Sequence, residues 1–456
     1  MKKLSFKGGI HPEDGKYLSR DILIEAYTPK QVIVPLVQHI GAPAKVVVND
    51  GDHVKKGQLI ADAAGAVSAK VHAPVSGTVK LTEAQLAFGR KCPAILIEND
   101  LADEWIERKE NEDYLSLSSE QIRTIISDAG IVGMGGAAFP THVKINPPKG
   151  KQIDSLIING VECEPYLTSD YRLMVQYGKE VIEGVKILLQ CLNLKKAYIG
   201  IEANKPEAIR IFRDLTKTIP SITVHSLKVK YPQGAEKVLI KSILNREVPP
   251  GGLPMDVGVV VQNVGTAFAV FEAVRYGKPL IERIVTITGE AISNPKNFKV
   301  PLGTSVSELI QACGGIKGEQ GGKKLHCPFL DWVHGSGSKI VEGVKIISGG
   351  PMMGFALYTT DIPVTKGTSG IVVLPKEKAA GNEDFGPCIK CGKCLNVCPM
   401  GLQPSMLGIL AEKRMYEQAK EYNIENCFEC GSCTYNCPSR RPMVQLVKTA
   451  KVALKG

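Results

Sequence analysis

Two short stretches hold eight of the chain's 13 cysteines. "GPCIKCGKCLNVCPMG", from Gly386, places Cys388, Cys391, Cys394 and Cys398 in a C-x2-C-x2-C-x3-C-P run. "NCFECGSCTYNCPSRR", from Asn426, repeats the spacing with Cys427, Cys430, Cys433 and Cys437. Three thiolates spaced by two residues can wrap one corner of a cubane cluster, and the fourth, ahead of Pro399 or Pro438, is carried away toward a second cluster. The expected ligand sets therefore cross: Cys388, Cys391, Cys394 and Cys437 for one [4Fe-4S] cluster, and Cys398, Cys427, Cys430 and Cys433 for the other. Structural zinc sites instead use two C-x2-4-C pairs, without a third cysteine at the next step or a trailing Cys-Pro.

Two helices are expected to carry these runs. "QPSMLGILAEKRMYEQAKEY" sets Met406, Leu407, Leu410 and Met415 near one face, and "RPMVQLVKTAKVAL" follows from Arg441. The result is a ferredoxin-like wire that passes one electron at a time and needs a donor and an acceptor.

Upstream, "GIVGMGGAAFPTHVK" begins at Gly130. Its glycines Gly133, Gly135 and Gly136 let a backbone approach a ring or phosphate closely. Phe139 offers an aromatic face and Lys144 a cation. Their spacing is not that of the dinucleotide fingerprint. The apolar run "SLIIN" then suits a buried parallel strand, with Asn159, Glu162 and Glu164 where it ends. Ligands of open α/β sheets bind at such carboxyl ends; a solvated acidic loop is the plainer alternative.

The rest of the chain bounds the function. With 456 residues, 44% hydrophobic and 22% charged, it has globular composition, enough for roughly three or four domains. The start "MKKLSFKGGI" has no apolar stretch behind it, so no signal peptide is expected. The longest apolar stretch, from Val257, is interrupted by Gln262, Asn263, Thr266 and Glu272, and reads as a buried strand, a break at Gly265 and a helix. The formal net charge of +10 comes from dispersed lysines without aromatic interleaving, so no nucleic-acid partner is expected. The other five cysteines lack metal-like spacing, and a reducing, cytosolic setting fits.

The glycine loop ending in Phe-Pro-Thr-x-x-Lys, followed by a strand running into Asn-x-x-Glu-x-Glu-Pro, resembles the flavin-bearing, NADH-binding subunit of respiratory complex I. "YPQGAEKVLI" from Tyr231 and "VVVQNVGT" from Val259 resemble later segments of that family. The resemblance implies FMN held by Gly133, Gly135, Gly136, Lys144, Asn159, Gly234 and Asn263, and NAD(H) near Phe139, Glu162, Glu164 and Glu236. Val161, Ala235, Gln262 and Met134 depart from the family pattern.

Residues 32–80 resemble the barrel-sandwich domain of biotinyl and lipoyl carriers, but Ala66 stands where a carrier lysine belongs, so a docking or structural role is expected. "VTITGEAISNPKNFKVPLGTSVSELIQACGG" from Val285 resembles the β-grasp module that follows the complex I flavin domain, and "SGIVVLP" should be a strand leading onward. The fold class is thus multidomain α/β plus β: barrel-sandwich hybrid (1–100), flavin-subunit-like α/β domain (118–278), β-grasp, ubiquitin-like module (282–332), connecting strands (333–376) and a helical two-[4Fe-4S] domain (377–456).

This order, with "GGIHPEDGK" and "SGGPMMG", resembles the C-subunit family of the Rnf complex, a membrane-bound ferredoxin:NAD+ oxidoreductase coupled to Na+ or H+ translocation. The resemblance implies a peripheral subunit on the cytoplasmic face of the cell membrane. It implies electron transfer between the two clusters, FMN and NAD(H), membrane partner subunits, and ferredoxin as an indirect partner. A soluble NADH-dependent flavin/iron–sulfur reductase, such as a cobalamin reductase, uses similar modules but begins with the flavin domain. A cluster-holding scaffold without nucleotide is the third reading.

Overall fold

The computed structural model describes residues 4–87, 89–148, 150–317, 343–378 and 385–455. The end of the expected β-grasp module (318–332), the start of the connecting segment (333–342) and residues 379–384 of the cluster domain lie outside them, as does Cys327.

Strand β1 (Ile24–Ala26) departs to a later sheet, and the chain then builds two small sheets face to face. One comprises β2 (Gln31–Pro35), β4 (His53–Val54), β7 (Gly77–Gln85) and β8 (Lys91–Asn99); the other comprises β3 (Lys45–Val46), β5 (Leu59–Asp62) and β6 (Val71–His72). Alternating residues turn Val32, Val34, Val79, Ile95 and Ile97 inward onto Ile60 and Val71. Ala66 is exposed in the β5–β6 connection, where a carrier would present its lysine. Lys70 is tied instead to Asp128 of the next domain at 3.0 Å.

That domain is a doubly wound parallel sheet. Ser118 caps helix α1 (Ser119–Asp128), accepting from the Gln121 N–H while the Gln121 side chain accepts from the Ser118 N–H. The glycine loop and the one-turn α2 (Thr141–Lys144) follow. Then come β9 (Ser155–Gly160), α3 (Ser169–Gln176), α4 (Gly178–Cys191), β10 (Ala197–Glu202), α5 (Pro206–Thr216), β11 (Ile222–Leu227), α6 (Glu236–Leu244), β12 (Val259–Asn263) and α7 (Val264–Tyr276). Leu156 and Ile158 of β9 enter the layer formed with α4, α5 and α7, while Ile157 faces α6, so the strand is apolar on both faces. The break between β12 and α7 falls at Asn263 rather than at Gly265. The Asn263 Oδ1 accepts from the Gly265 N–H at 2.7 Å, so Gly265 lies inside the first turn.

The hairpin β13 (Glu282–Thr288) and β14 (Lys296–Pro301), followed by α8 (Val306–Ala312) capped by Ser305, gives the β-grasp pattern. β15 (Val344–Ser348), β16 (Phe355–Ala356) and β17 (Gly370–Pro375) complete a six-stranded sheet, order β1-β14-β13-β17-β15-β16. β17 is the strand expected from "SGIVVLP", and it pairs parallel with β13. Lys366, fully buried, locks three modules together: its ammonium donates to the carbonyls of Lys70 at 2.6 Å and Gly130 at 2.7 Å. Burial pushes its pKa down to about 7.

The helix expected between the cysteine runs is two: Pro404–Glu412 and Tyr416–Glu421. Arg414 adopts a left-handed φ of 57°, and the Met415 N–H reaches back to the Leu410 carbonyl at 2.9 Å, a helix-ending turn. Leu407 and Leu410 are buried as expected, whereas Met415 is exposed. The last helix, Met443–Ala453, packs Val447 and Ala450 onto them.

Candidate functional site

The four parallel strands run β11-β10-β9-β12, so the winding direction reverses between β9 and β12. A crevice opens at the carboxyl ends of strands at such a reversal. Asn159 and Asn263 are register partners there. Asn263 donates to the Asp170 carboxylate at 2.7 Å, and Asn159 donates to the Gly234 carbonyl at 2.8 Å. The glycine loop lies against this pair. A Cβ built on Gly135 would sit 3.1 Å from the Asn263 side chain, while one on Gly136 meets nothing within 4 Å. The loop is pinned at its neck by the Gly133 N–H on the Phe139 carbonyl at 2.8 Å, and by the Met134 N–H on Thr266 Oγ1 at 3.0 Å. Lys144 and Glu236 form an ion pair.

The two acidic residues diverge. Glu162, at a left-handed φ of 47°, accepts from the Asp170 N–H at 2.7 Å and the Tyr171 N–H at 3.3 Å, in the first turn of α3. Glu164 accepts from the Met352 and Met353 N–H groups at 3.1 and 2.9 Å. Burial pushes both carboxyls up to about 7. The loop carrying them is held by two buried lysines, one of them from outside the domain sequence. Lys16 donates to the carbonyls of Glu164 at 2.7 Å and Leu167 at 2.5 Å, and Lys205 donates to that of Val161 at 2.7 Å. Val161, a departure from the flavin-subunit pattern, is fully buried among Ile157, Leu239 and Val261.

Sequence reasoning did not single out Asp170, Thr266, Lys16, Lys205 or Arg283. Only Lys16 had a signal, at the end of "GGIHPEDGK". Arg283, buried on β13, puts its guanidinium against the sulfur of Met134, one of the departures from the flavin-subunit pattern. The cradle fits a flavin nucleotide. It offers an open glycine backbone and two asparagine amides at strand ends, with Lys144 following on α2.

The cysteine runs share a backbone. In the first, Lys390 and Gly392 have positive φ; in the second, Glu429 and Gly431 stand at the same offsets with φ of 61° and 81°. These left-handed residues before and after the middle cysteine curl each run inward, and glycine adopts that conformation without strain. Gly392 and Gly431 then open the short helices Lys393–Val397 and Ser432–Tyr435. Cys388, Cys391, Cys394 and Cys437 line one cavity, with Met443 beneath. Burial, then the neighbouring Cys427, Cys430 and Cys398, push the Cys433 thiol up to about 12. Each run's last cysteine thus sits beside the other run's first three, a donor set that fits two cubane clusters.

A doubly wound domain with a glycine-lined cradle at its strand ends, joined to a two-cluster domain, defines a flavin/iron–sulfur electron-transfer protein. The family models and relatives that this chain matches agree with this class. Residues 126–272 match the Nuo51 FMN-binding domain, 4–102 the RnfC barrel sandwich hybrid domain, 284–325 the SLBB domain and 381–438 the 4Fe-4S dicluster domain. The C subunit of the proton-translocating ferredoxin:NAD(+) oxidoreductase complex of Clostridium ljungdahlii is 48% identical, over 98% of this chain and 93% of that one. Its counterpart in the Na(+)-translocating complex of Acetobacterium woodii is 40% identical, over 99% and 97%. The C subunit of the ion-translocating oxidoreductase complex of Rhodobacter capsulatus is 40% identical, over 99% and 83%. A solved NAD+-reducing [NiFe]-hydrogenase in the H2-reduced state aligns with a TM-score of 0.47 at 15% identity, covering 76% of this chain and 62% of that one. The chain belongs to the family of C subunits of ion-translocating ferredoxin:NAD(+) oxidoreductase (Rnf) complexes. Its cofactors are FMN and two [4Fe-4S] clusters, and it works as an electron-transfer subunit beside other subunits of its complex.

Proposed function

We propose that this chain exchanges electrons with NAD(H) at its flavin domain and with partner subunits at its cluster domain, as a peripheral subunit on the cytoplasmic face of the membrane. In this reading the Cys398, Cys427, Cys430 and Cys433 set lies next to the flavin domain, and the Cys388, Cys391, Cys394 and Cys437 set faces the partners. The observation that carries it is the joint between the domains: the Tyr231 hydroxyl donates to the Cys430 carbonyl at 2.7 Å, and the Gly9 N–H donates to the Val397 carbonyl at 2.8 Å. The other set has the exposed Cys391 and, around it, exposed Phe385, Ile389 and Leu395. No helix among the described residues is long and apolar enough to cross a membrane, which accords with a peripheral place.

FMN, when bound, supplies the conversion between two-electron hydride transfer and one-electron transfer. The chain's part is to hold and orient. Gly133, Gly135, Gly136, Asn159, Gly234 and Asn263 form the flavin cradle. Lys144 offers its ammonium to the phosphate, exchanging the Glu236 carboxylate for it. Phe139 and Glu236 flank the nucleotide. Glu162 and Glu164, half-sequestered on backbone amides, set the shape of the loop that receives the nicotinamide and ribose.

A ligand that binds only the folded state raises its stability by mass action. Millimolar NADH is therefore expected to raise the Tm of the FMN-loaded chain, and Glu162→Gln to shrink that rise. An unchanged Tm in the wild type would leave the scaffold reading standing.

A further inference from the structure

We propose that Tyr231 is a positioning residue for the inner cluster, using its hydroxyl to raise that cluster's reduction potential and make it the favoured first stop for an electron leaving the flavin site. The inference rests on the ligand sets and cluster order proposed above.

Tyr231 belongs by sequence to the flavin domain, between β11 and Gly234. Its main chain is fixed on both sides. Its N–H donates to the Ile10 carbonyl at 2.9 Å, and the Ile10 N–H donates back to its own carbonyl at 2.8 Å. The side chain, only 1% exposed, is thereby aimed out of its own domain into an apolar seam with Ile10, Cys163, Met352, Val397, Phe428 and Cys430. At the end of that path the hydroxyl meets the carbonyl of Cys430, one of the thiolate ligands of the inner cluster. On its other side stands the Glu164 carboxylate, held by the Met352 and Met353 N–H groups. The carbonyl of the same residue, Met352, lies 3.2 Å from where a Cβ on Gly431 would be. Tyr231 therefore touches both the loop of the nucleotide site and the loop that grips the cluster.

The direction of the effect follows from charge. A cluster gains one negative charge on reduction, and hydrogen bonds and burial around the ligands set its potential. An O–H dipole with its positive end on the Cys430 carbonyl draws electron density from the ligand peptide and favours the reduced state. In a dry seam this dipole is poorly screened. Among the described residues no tyrosine hydroxyl donates to the carbonyl of Cys388, Cys391, Cys394 or Cys437, so the outer cluster lacks this influence.

The test uses Tyr231→Phe in the full-length, cluster-loaded chain. Phenylalanine keeps the ring and the two main-chain bonds to Ile10. The measurement is an anaerobic redox titration followed by electron paramagnetic resonance, with iron content, repeated in a Cys391→Ser background that leaves the inner cluster as the sole signal. The expected result is a lower potential for that signal by about a tenfold change in the one-electron equilibrium, about 59 mV. The outer cluster's potential should hold, and FMN content and iron should be retained. An unchanged inner-cluster potential, an equal shift of both clusters, or loss of the cluster itself would reduce Tyr231 to a packing residue and overturn the proposal. Two full signals persisting in Cys391→Ser would instead refute the ligand sets on which it rests.

Discussion

The double variant Cys391→Ser/Cys437→Ser is expected to retain half of the chain's iron, and Cys391→Ser/Cys430→Ser to lose nearly all of it. The result looks backwards on the linear sequence, because each pair takes one cysteine from each run. It follows from the crossing. Cys391 and Cys437 line the same cavity, so removing the second costs nothing that the first has not already cost. Cys430 is surrounded by Cys398, Cys427 and Cys433, so its loss strikes the other cluster. If each run instead held its own cluster, both double variants would lose all iron. Iron and sulfide analysis of the purified chains decides between the two arrangements, and removing residues that act as one unit is expected to be non-additive in this way.

Lys16→Met should cut NADH-driven reduction of the clusters by about tenfold or more while leaving their reduction by dithionite intact. Lys16 is buried, 148 residues from the loop it serves, and donates to the carbonyls of Glu164 and Leu167. Without it both carbonyls lose their donor, and a buried polar group left unpaired costs about 1–3 kcal/mol. The loop between Val161 and Thr168 already contains strained left-handed residues, Glu162 and Tyr166 with φ of 47° and 69°, which persist only where the surroundings enforce them. Loosening the loop frees Glu162 from the first turn of α3 and displaces the nucleotide side of the cradle. About 1.4 kcal/mol is already tenfold in a rate or an affinity. Anaerobic stopped-flow with NADH, and separately with dithionite, reads the two routes. Equal rates for variant and wild type would show that the loop needs no such anchor.

Much of the architecture was legible because its signals are local. The C-x2-C-x2-C-x3-C-P spacing, with a glycine after each middle cysteine, encodes the curl of both runs. "SLIIN" is apolar through its centre because β9 is covered on both faces, and Ser305 announces the start of α8. What the sequence hid lies in contacts between distant segments. Nothing around Glu164 shows that its carboxylate is received by amides 188 and 189 residues away. Nothing in "YPQGAEK" shows that the tyrosine hydroxyl reaches the carbonyl of Cys430. Nothing around Met134 shows that Arg283, from the β-grasp hairpin, brings its guanidinium against the Met134 sulfur. Secondary structure failed for the same reason where tertiary contact overrode pattern. The apolar periodicity continues through Arg414, but the backbone turns there and splits one expected helix into two.

The central claim is a continuous route from nicotinamide nucleotide to clusters through the flavin site of this one chain. It is tested most directly by an anaerobic titration of the cluster-reconstituted chain with NADH, with and without added FMN, following visible absorbance. The account predicts that the broad iron–sulfur absorbance bleaches on NADH addition only when FMN is present. Bleaching by dithionite but not by NADH, with FMN bound, would contradict it.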